Sequence, residues 1–86
     1  MRLDKFLQVS RLVKRRTLAN RLCNAGRVTL NGQRAKPSAE IDAGDLISVN
    51  FGTRRVTARV TRVPSGRPSP DAIVEILDDQ RIQDAW

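Results

Sequence analysis

The chain has no histidine and no tyrosine, and it holds one cysteine, one tryptophan and two phenylalanines. Without histidine, neither a zinc site nor an imidazole general base can be assembled. Cys23 alone excludes an intrachain disulfide and suits a reducing compartment. Phe6, Phe51 and Trp86 are too few and too scattered to build the stacking platform that grips single-stranded nucleic acid. No apolar run approaches the ~20 residues of a membrane span, and Met1-Arg-Leu-Asp lacks the apolar stretch of a secretory signal. A cytoplasmic location and no membrane partner are therefore expected. A chain of 86 residues buries only roughly 60 to 65% of its unfolded surface, enough for one small core and too little for a lidded catalytic cleft. Neither enzyme activity nor a cofactor is expected.

What the chain does have is positive charge at one end. Ten of its sixteen bases lie in residues 1–36, where Asp4 is the one acid, giving that stretch a charge of +9. The other fifty residues hold six bases and eight acids, a net of −2. Charge that merely keeps a protein soluble is interspersed with its opposite, whereas this charge is concentrated on one end of a near-neutral scaffold. Such an arrangement serves a polyanion, and RNA leads.

Hydrophobic periodicity places the charge on a scaffold. Leu3, Phe6 and Leu7 recur at helical spacing, a face too short to be stable without a partner. A second helix supplies it, with Thr17 expected as N-cap, Leu18, Ala19, Leu22, Cys23 and Ala25 as its apolar stripe, and Gly26 as its stop. The period then changes to that of strands. Val28 and Leu30 flank Thr29, Asn31-Gly32 fits a type I′ hairpin turn, and Gln33 to Lys36 is the expected return strand. Pro37 and Ser38 break it. Ala43-Gly44-Asp45 reads as a turn into Leu46 to Phe51, whose Ile47, Val49 and Phe51 share a face, and Gly52 closes that strand. Val56, Ala58 and Val60 alternate with Thr57, Arg59 and Thr61. Pro64 to Pro70 reads as a flexible loop and Ile73 to Leu77 as a last strand, with no clear pattern from Asp78 to Trp86. The fold class is α+β, two N-terminal helices packed on a small, mostly antiparallel, curved sheet.

The candidate binding set is Arg2, Lys5, Arg11, Lys14, Arg15, Arg16, Arg21, Arg27 and Lys36. Arginine dominates, and its planar fork suits bidentate phosphate contacts and stacking on exposed bases. Thr17 and the first amides of the second helix would add a phosphate site at the positive end of its dipole. Asp4, among Arg2, Lys5 and Arg11, reads as an orienting ion pair and not as a catalyst, because positive neighbours hold a carboxylate charged. Cys23 reads as a buried small hydrophobe. Gly26, Gly32 and Gly44 lack the Lys and Ser/Thr of a nucleotide-binding loop, and a cap or turn accounts for each.

Arg2-Leu3-Asp4-Lys5-Phe6-Leu7, Ser10-Arg11, Arg16-Thr17-Leu18-Ala19, Gly26-Arg27-Val28-Thr29-Leu30-Asn31-Gly32, Lys36-Pro37-Ser38 and Gly44-Asp45, in that order and spacing, resemble the RNA-binding domain named after ribosomal small-subunit protein S-four. The resemblance covers residues 1 to about 52 and implies that domain's alpha-L motif. As a short chain with no enzyme attached, the protein is similar over nearly its whole length to the single-domain, RqcP-type members of the heat-shock protein fifteen family. That resemblance implies binding to the large ribosomal subunit through its ribosomal RNA and peptidyl-tRNA. It also implies cooperation with an RqcH-like factor that extends stalled chains with alanine, by a protein acting as a monomer. Arg2 and Arg16 match the family's principal RNA-contacting arginines, and Lys5, Arg11, Arg15, Thr17 and Lys36 match flanking positions.

Residues 1–63 are expected to form the RNA-binding domain, with 64–86 supplying a proline-rich loop, a last strand and a polar tail of the same domain. Within RNA binding the rival reading is a heat-shock protein fifteen-like factor that recycles large subunits carrying nascent chains. A DNA-binding helix-turn-helix is a further rival, which needs a third helix where this chain turns to strand. An RNA-modifying enzyme would need a second domain for its catalytic site.

Overall fold

The computed structural model describes residues 1–64 and 73–81. Two helices, α1 (Leu3–Val9) and α2 (Arg16–Asn24), precede five strands, β1 (Val28–Leu30), β2 (Gln33–Arg34), β3 (Leu46–Asn50), β4 (Arg54–Val60) and β5 (Val74–Arg81). The strands form one antiparallel sheet in the order β2-β1-β3-β4-β5.

Neither helix starts on a side-chain cap. The first amides of α1 are satisfied from a distant segment: Leu3 N–H donates to Ala39 O at 2.8 Å and Asp4 N–H to Pro37 O at 3.1 Å. Helix α2 begins at Arg16, with extended Arg15 at its N-cap position, so Thr17 lies inside the first turn and is not the cap. Its end is as expected. Gly26 takes φ +73°, its N–H donates to Cys23 O, and Arg27 N–H donates to Leu22 O. That pair of bonds is the Schellman arrangement, which needs a residue able to turn left-handed.

Asn31 and Gly32 adopt φ +53° and +84°, as a type I′ turn requires. Asn31 does more than turn. Its side chain accepts from Leu46 N–H at 2.9 Å and donates to Asp45 Oδ1 at 3.0 Å, fixing the hairpin to the start of β3. The return strand stops at Arg34, short of Lys36, because the chain leaves there to run beside α1.

The core lies between the helices and one sheet face: Leu3, Phe6, Leu7, Val13, Ala19, Leu22 and Cys23 meet Val28, Ile41, Ile47, Val49 and Val60. Complete burial of each large side chain contributes about 1.5 to 3 kcal/mol, so this one cluster sets the helices against the sheet. Leu18 departs from the expected stripe, being 41% exposed. At ~100° per residue it sits a quarter-turn from Ala19, off the buried line through Ala19, Leu22 and Cys23.

The last strand begins at Val74 and continues to Arg81, beyond the expected limit at Leu77. It is exposed along nearly its whole length, so no alternation marks it; its regularity comes from pairing with β4. The expected loop beyond Pro64, and the tail beyond Arg81, lie outside the described residues. No helix among the described residues is long and apolar enough to cross a membrane.

Candidate nucleic-acid interface

The first turns of the two helices converge on Asp4. Its carboxylate is 3% exposed and therefore needs partners. Lys5 N–H donates to Oδ1 at 2.8 Å, Arg2 Nε stands 3.3 Å from the same oxygen, and Arg2 Nη2 reaches Oδ2 at 3.4 Å. From α2, Arg16 Nε lies 3.5 Å from Oδ2 and Asn20 Nδ2 donates to it at 3.5 Å. Asn20 is itself held by Asn24 Nδ2 at 2.9 Å, so Arg16, Asn20 and Asn24 line one face of α2 at i, i+4 spacing. Burial acts to raise the Asp4 pKa. The Asn20 hydrogen bond, the Lys5 amide and the charges of Arg16 and Arg2 together outweigh it, and the carboxyl sits below its ordinary value.

This arrangement leaves two guanidinium groups side by side, each 48% exposed. One anion between two cations leaves a local surplus of positive charge, and Arg16 engages it through Nε. Asp4 is thus the orienting carboxylate expected for Arg2. The structure corrects the remainder of that expectation. Lys5 contributes its amide and not its ammonium, and Arg11 is replaced by Arg16, a partner that only the packing of the two helices supplies.

The other candidate residues surround this centre unevenly. Thr17 is exposed and, with Asp4, Arg16, Asn20 and Arg21, lines a shallow depression of about 430 Å³. Lys36 is exposed and immediately precedes the Pro37–Ala39 turn that receives the first amides of α1. Lys5 and Arg15 are also exposed. Arg11 lies past the C-terminal end of α1, in the left-handed region at φ +63°, and with Gln8, Val9, Val13 and Lys14 it lines a second depression of about 540 Å³. A non-glycine residue held there is strained by about 1 to 3 kcal/mol and is kept by its surroundings, here by Arg11 N–H to Gln8 O and Val13 N–H to Leu7 O. Asn20 escaped notice in the sequence, although its i+4 spacing from Arg16 was visible. Cys23 is buried at the helix–sheet junction, and burial, reinforced by the negative charge of Asp4, pushes its thiol pKa up to about 11.

Comparison with known proteins begins at these same residues, because a family model described as the S4 domain matches residues 1–47. The chain belongs to the S4 domain family. The RQC P-site tRNA stabilizing factor of Bacillus subtilis is 42% identical over 84 residues, covering 95% of this chain and 98% of that one. The heat shock protein 15 homolog of Aeromonas salmonicida is 42% identical over 69 residues, covering 80% of this chain and 52% of its own length. Among solved structures, the trimeric heat shock protein 15 of Vibrio cholerae superposes with a TM-score of 0.77 at 33% identity, over 88% of this chain and 80% of that one. The S4 domain match ends within β3, so β4 and β5 extend this member's sheet beyond the matched segment.

Proposed function

We propose that this S4 protein binds the RNA of the large ribosomal subunit together with peptidyl-tRNA, and supports alanine tailing of stalled nascent chains with an RqcH-like factor. The observation that carries the reading is the Asp4-centred pair, Arg2 and Arg16, half-exposed and oriented on one surface. Arg2 and Arg16 make the principal contacts, and Lys5, Arg11, Arg15, Thr17 and Lys36 flank them. Guanidinium groups fixed in direction lose less freedom on meeting a phosphate, which favours arginine over lysine here. Structured RNA suits a surface with charge and shape but no aromatic platform. The near full-length match to a factor named for stabilising P-site tRNA supports the ribosomal part of the reading.

Residues 1–63 form the RNA-binding unit, 64–86 belong to the same domain, and β5 completes its sheet; the protein acts in the cytoplasm, as a monomer. The recycling role of heat shock protein 15 is less well supported, because this chain spans about half of that curated relative. Among the described residues α2 is followed directly by a strand, which leaves a DNA-reading helix-turn-helix without its bracing helix. Crosslinking in cells followed by sequencing of the attached RNA is the direct test. Large-subunit ribosomal RNA and tRNA recovered together are expected; messenger RNA or DNA in their place would overturn the reading.

A further inference from the structure

We infer that the back of the sheet, the face turned away from both helices, carries a second RNA phosphate-binding surface centred on Arg27, Arg34 and Arg55. This rests on the RNA-binding reading above and extends it to a separate part of the molecule.

Antiparallel register determines which side chains share that face. Val28, Ile47, Val49, Val56, Ala58 and Val60 point into the core, so their neighbours point away from it. Arg34, Thr29, Ser48 and Thr57 form one row across β2, β1, β3 and β4, and Asn50 stands opposite Arg55 in the next. Arg27 joins the second row, since Asn50 N–H donates to Arg27 O at 2.9 Å. Between the rows lies a depression of about 420 Å³ lined by Arg27, Thr29, Ser48, Asn50 and Arg55, with Ala25 and Gly26 at its rim. Two of the guanidinium groups are placed by glycines beside it. A Cβ at Gly26 would stand 3.3 Å from Arg34 Cζ, and one at Gly52 would stand 3.7 Å from Arg27 Nη1.

Charge distinguishes these three arginines from their neighbours. Arg54 is paired with Asp79 at 3.5 Å, and Arg59 stands opposite Glu75. Arg27, Arg34 and Arg55 form no ion pair among the described residues, and the β5 residue opposite Arg55 is the neutral Gln80. Asp78, opposite Thr57, bounds the patch on its β5 side. Three arginines around hydroxyl and amide groups match a sugar-phosphate backbone, whose phosphates take the guanidinium groups and whose 2′-hydroxyls take Thr and Ser. A protein partner would need apolar anchors, and on β1 to β4 this face offers only Leu46, at its far end. Because the Arg2–Arg16 site is on the helices, the two surfaces would engage different RNA segments at once.

Native mass spectrometry with a short RNA hairpin at low salt reads the stoichiometry. The wild-type chain is expected to take two hairpins, the R27Q/R55Q and R2A/R16A variants one each, and the equal-charge control R54Q/R59Q two. The salt slope of the R27Q/R55Q variant should fall by roughly 1 to 2 relative to wild type. Crosslinking of the wild-type chain, which requires no variant to fold, should place RNA on peptides of β1 to β4 as well as on the helices. Crosslinks confined to residues 1–24, or unchanged stoichiometry and slope in R27Q/R55Q, would overturn the second surface while leaving the first intact. Binding of one hairpin that only R2A/R16A abolishes has the same meaning. A wild-type chain that binds no RNA would sink both.

Discussion

Arg2 and Arg16 meet at opposite oxygens of a single buried carboxylate, Arg2 Nε 3.3 Å from Asp4 Oδ1 and Arg16 Nε 3.5 Å from Oδ2. Each is the residue with which its helix opens, at N-cap and first position respectively, so the pair reports directly on how α1 and α2 cross. Anything that shifts one helix against the other changes the spacing of both cations.

Alanine at Arg2 or Arg16 should cost RNA affinity about 1.5 to 3 kcal/mol each, a tenfold to hundredfold loss, without unfolding the domain. The double variant should lose less than the sum, because the two share Asp4. Arg59→Ala, opposite Glu75, is the control of equal charge change. Co-sedimentation with large subunits carrying peptidyl-tRNA, alongside circular dichroism, measures this; an equal loss from Arg59→Ala would put the principal contacts on the wrong side of the molecule.

Asp4 should confer an acid-sensitive increment of stability. Its folded pKa is depressed, so the contribution is present above the unfolded value near 3.8 and is lost as pH falls through the lower folded value. Asp4→Asn should flatten that acid limb in urea titrations. Asp4→Ala, which leaves Asn20 and both arginines without their shared acceptor, should cost about 1 to 3 kcal/mol at neutral pH.

RNA affinity should fall steeply with salt. If ~5 phosphates are neutralised, log K against log salt should have a slope of roughly −3 to −4. Fluorescence anisotropy over a salt series reads it, and a slope near zero would remove the electrostatic account. Alanine at Phe51 should leave affinity nearly unchanged, since its ring lies under Arg54 at 5.4 Å and is already occupied.

Cys23→Ser should destabilise the fold by about 1 to 2 kcal/mol and leave the RNA affinity of folded protein intact. The raised thiol pKa of about 11 has a sign of its own. The neutral thiol favours the folded state, so this contribution is complete below about pH 9 and is lost as pH rises towards about 11. Thiol labelling under native conditions should be slow until the protein is unfolded; rapid labelling at neutral pH would contradict the burial.

Local chemistry was legible in the sequence wherever one residue type decides the geometry. Asn31-Gly32, Gly26 and the alternation of Ile47 and Val49 each gave the right element, because a left-handed turn or a half-buried strand selects for few residues. The misses have one cause in common. Thr17 resembles a cap by type, but the helix start is set by Arg15 and Arg16 against α1. Val74 to Arg81 lacks alternation because both of its faces are wet, so only its pairing with β4 makes it a strand. The Asp4–Arg16 contact spans twelve positions, and only the helix packing creates it.

The pairing of β4 with β5 slips by one residue between Thr57 and Ala58, where Asp78 and Ile76 are the respective partners and Leu77 has none. That single uncounted residue sets the phase of everything after it. In continuous register Asp79 would stand opposite Arg55; with the slip it stands opposite Val56, on the face where it reaches Arg54. Deleting Leu77 would therefore close the bulge and leave Asp79 opposite Val56 and Gln80 opposite Arg55. A slide that pairs Leu77 with Thr57 would instead carry the countercharge from Arg54 to Arg55, baring one side of the sheet and silencing the other with no charged residue altered.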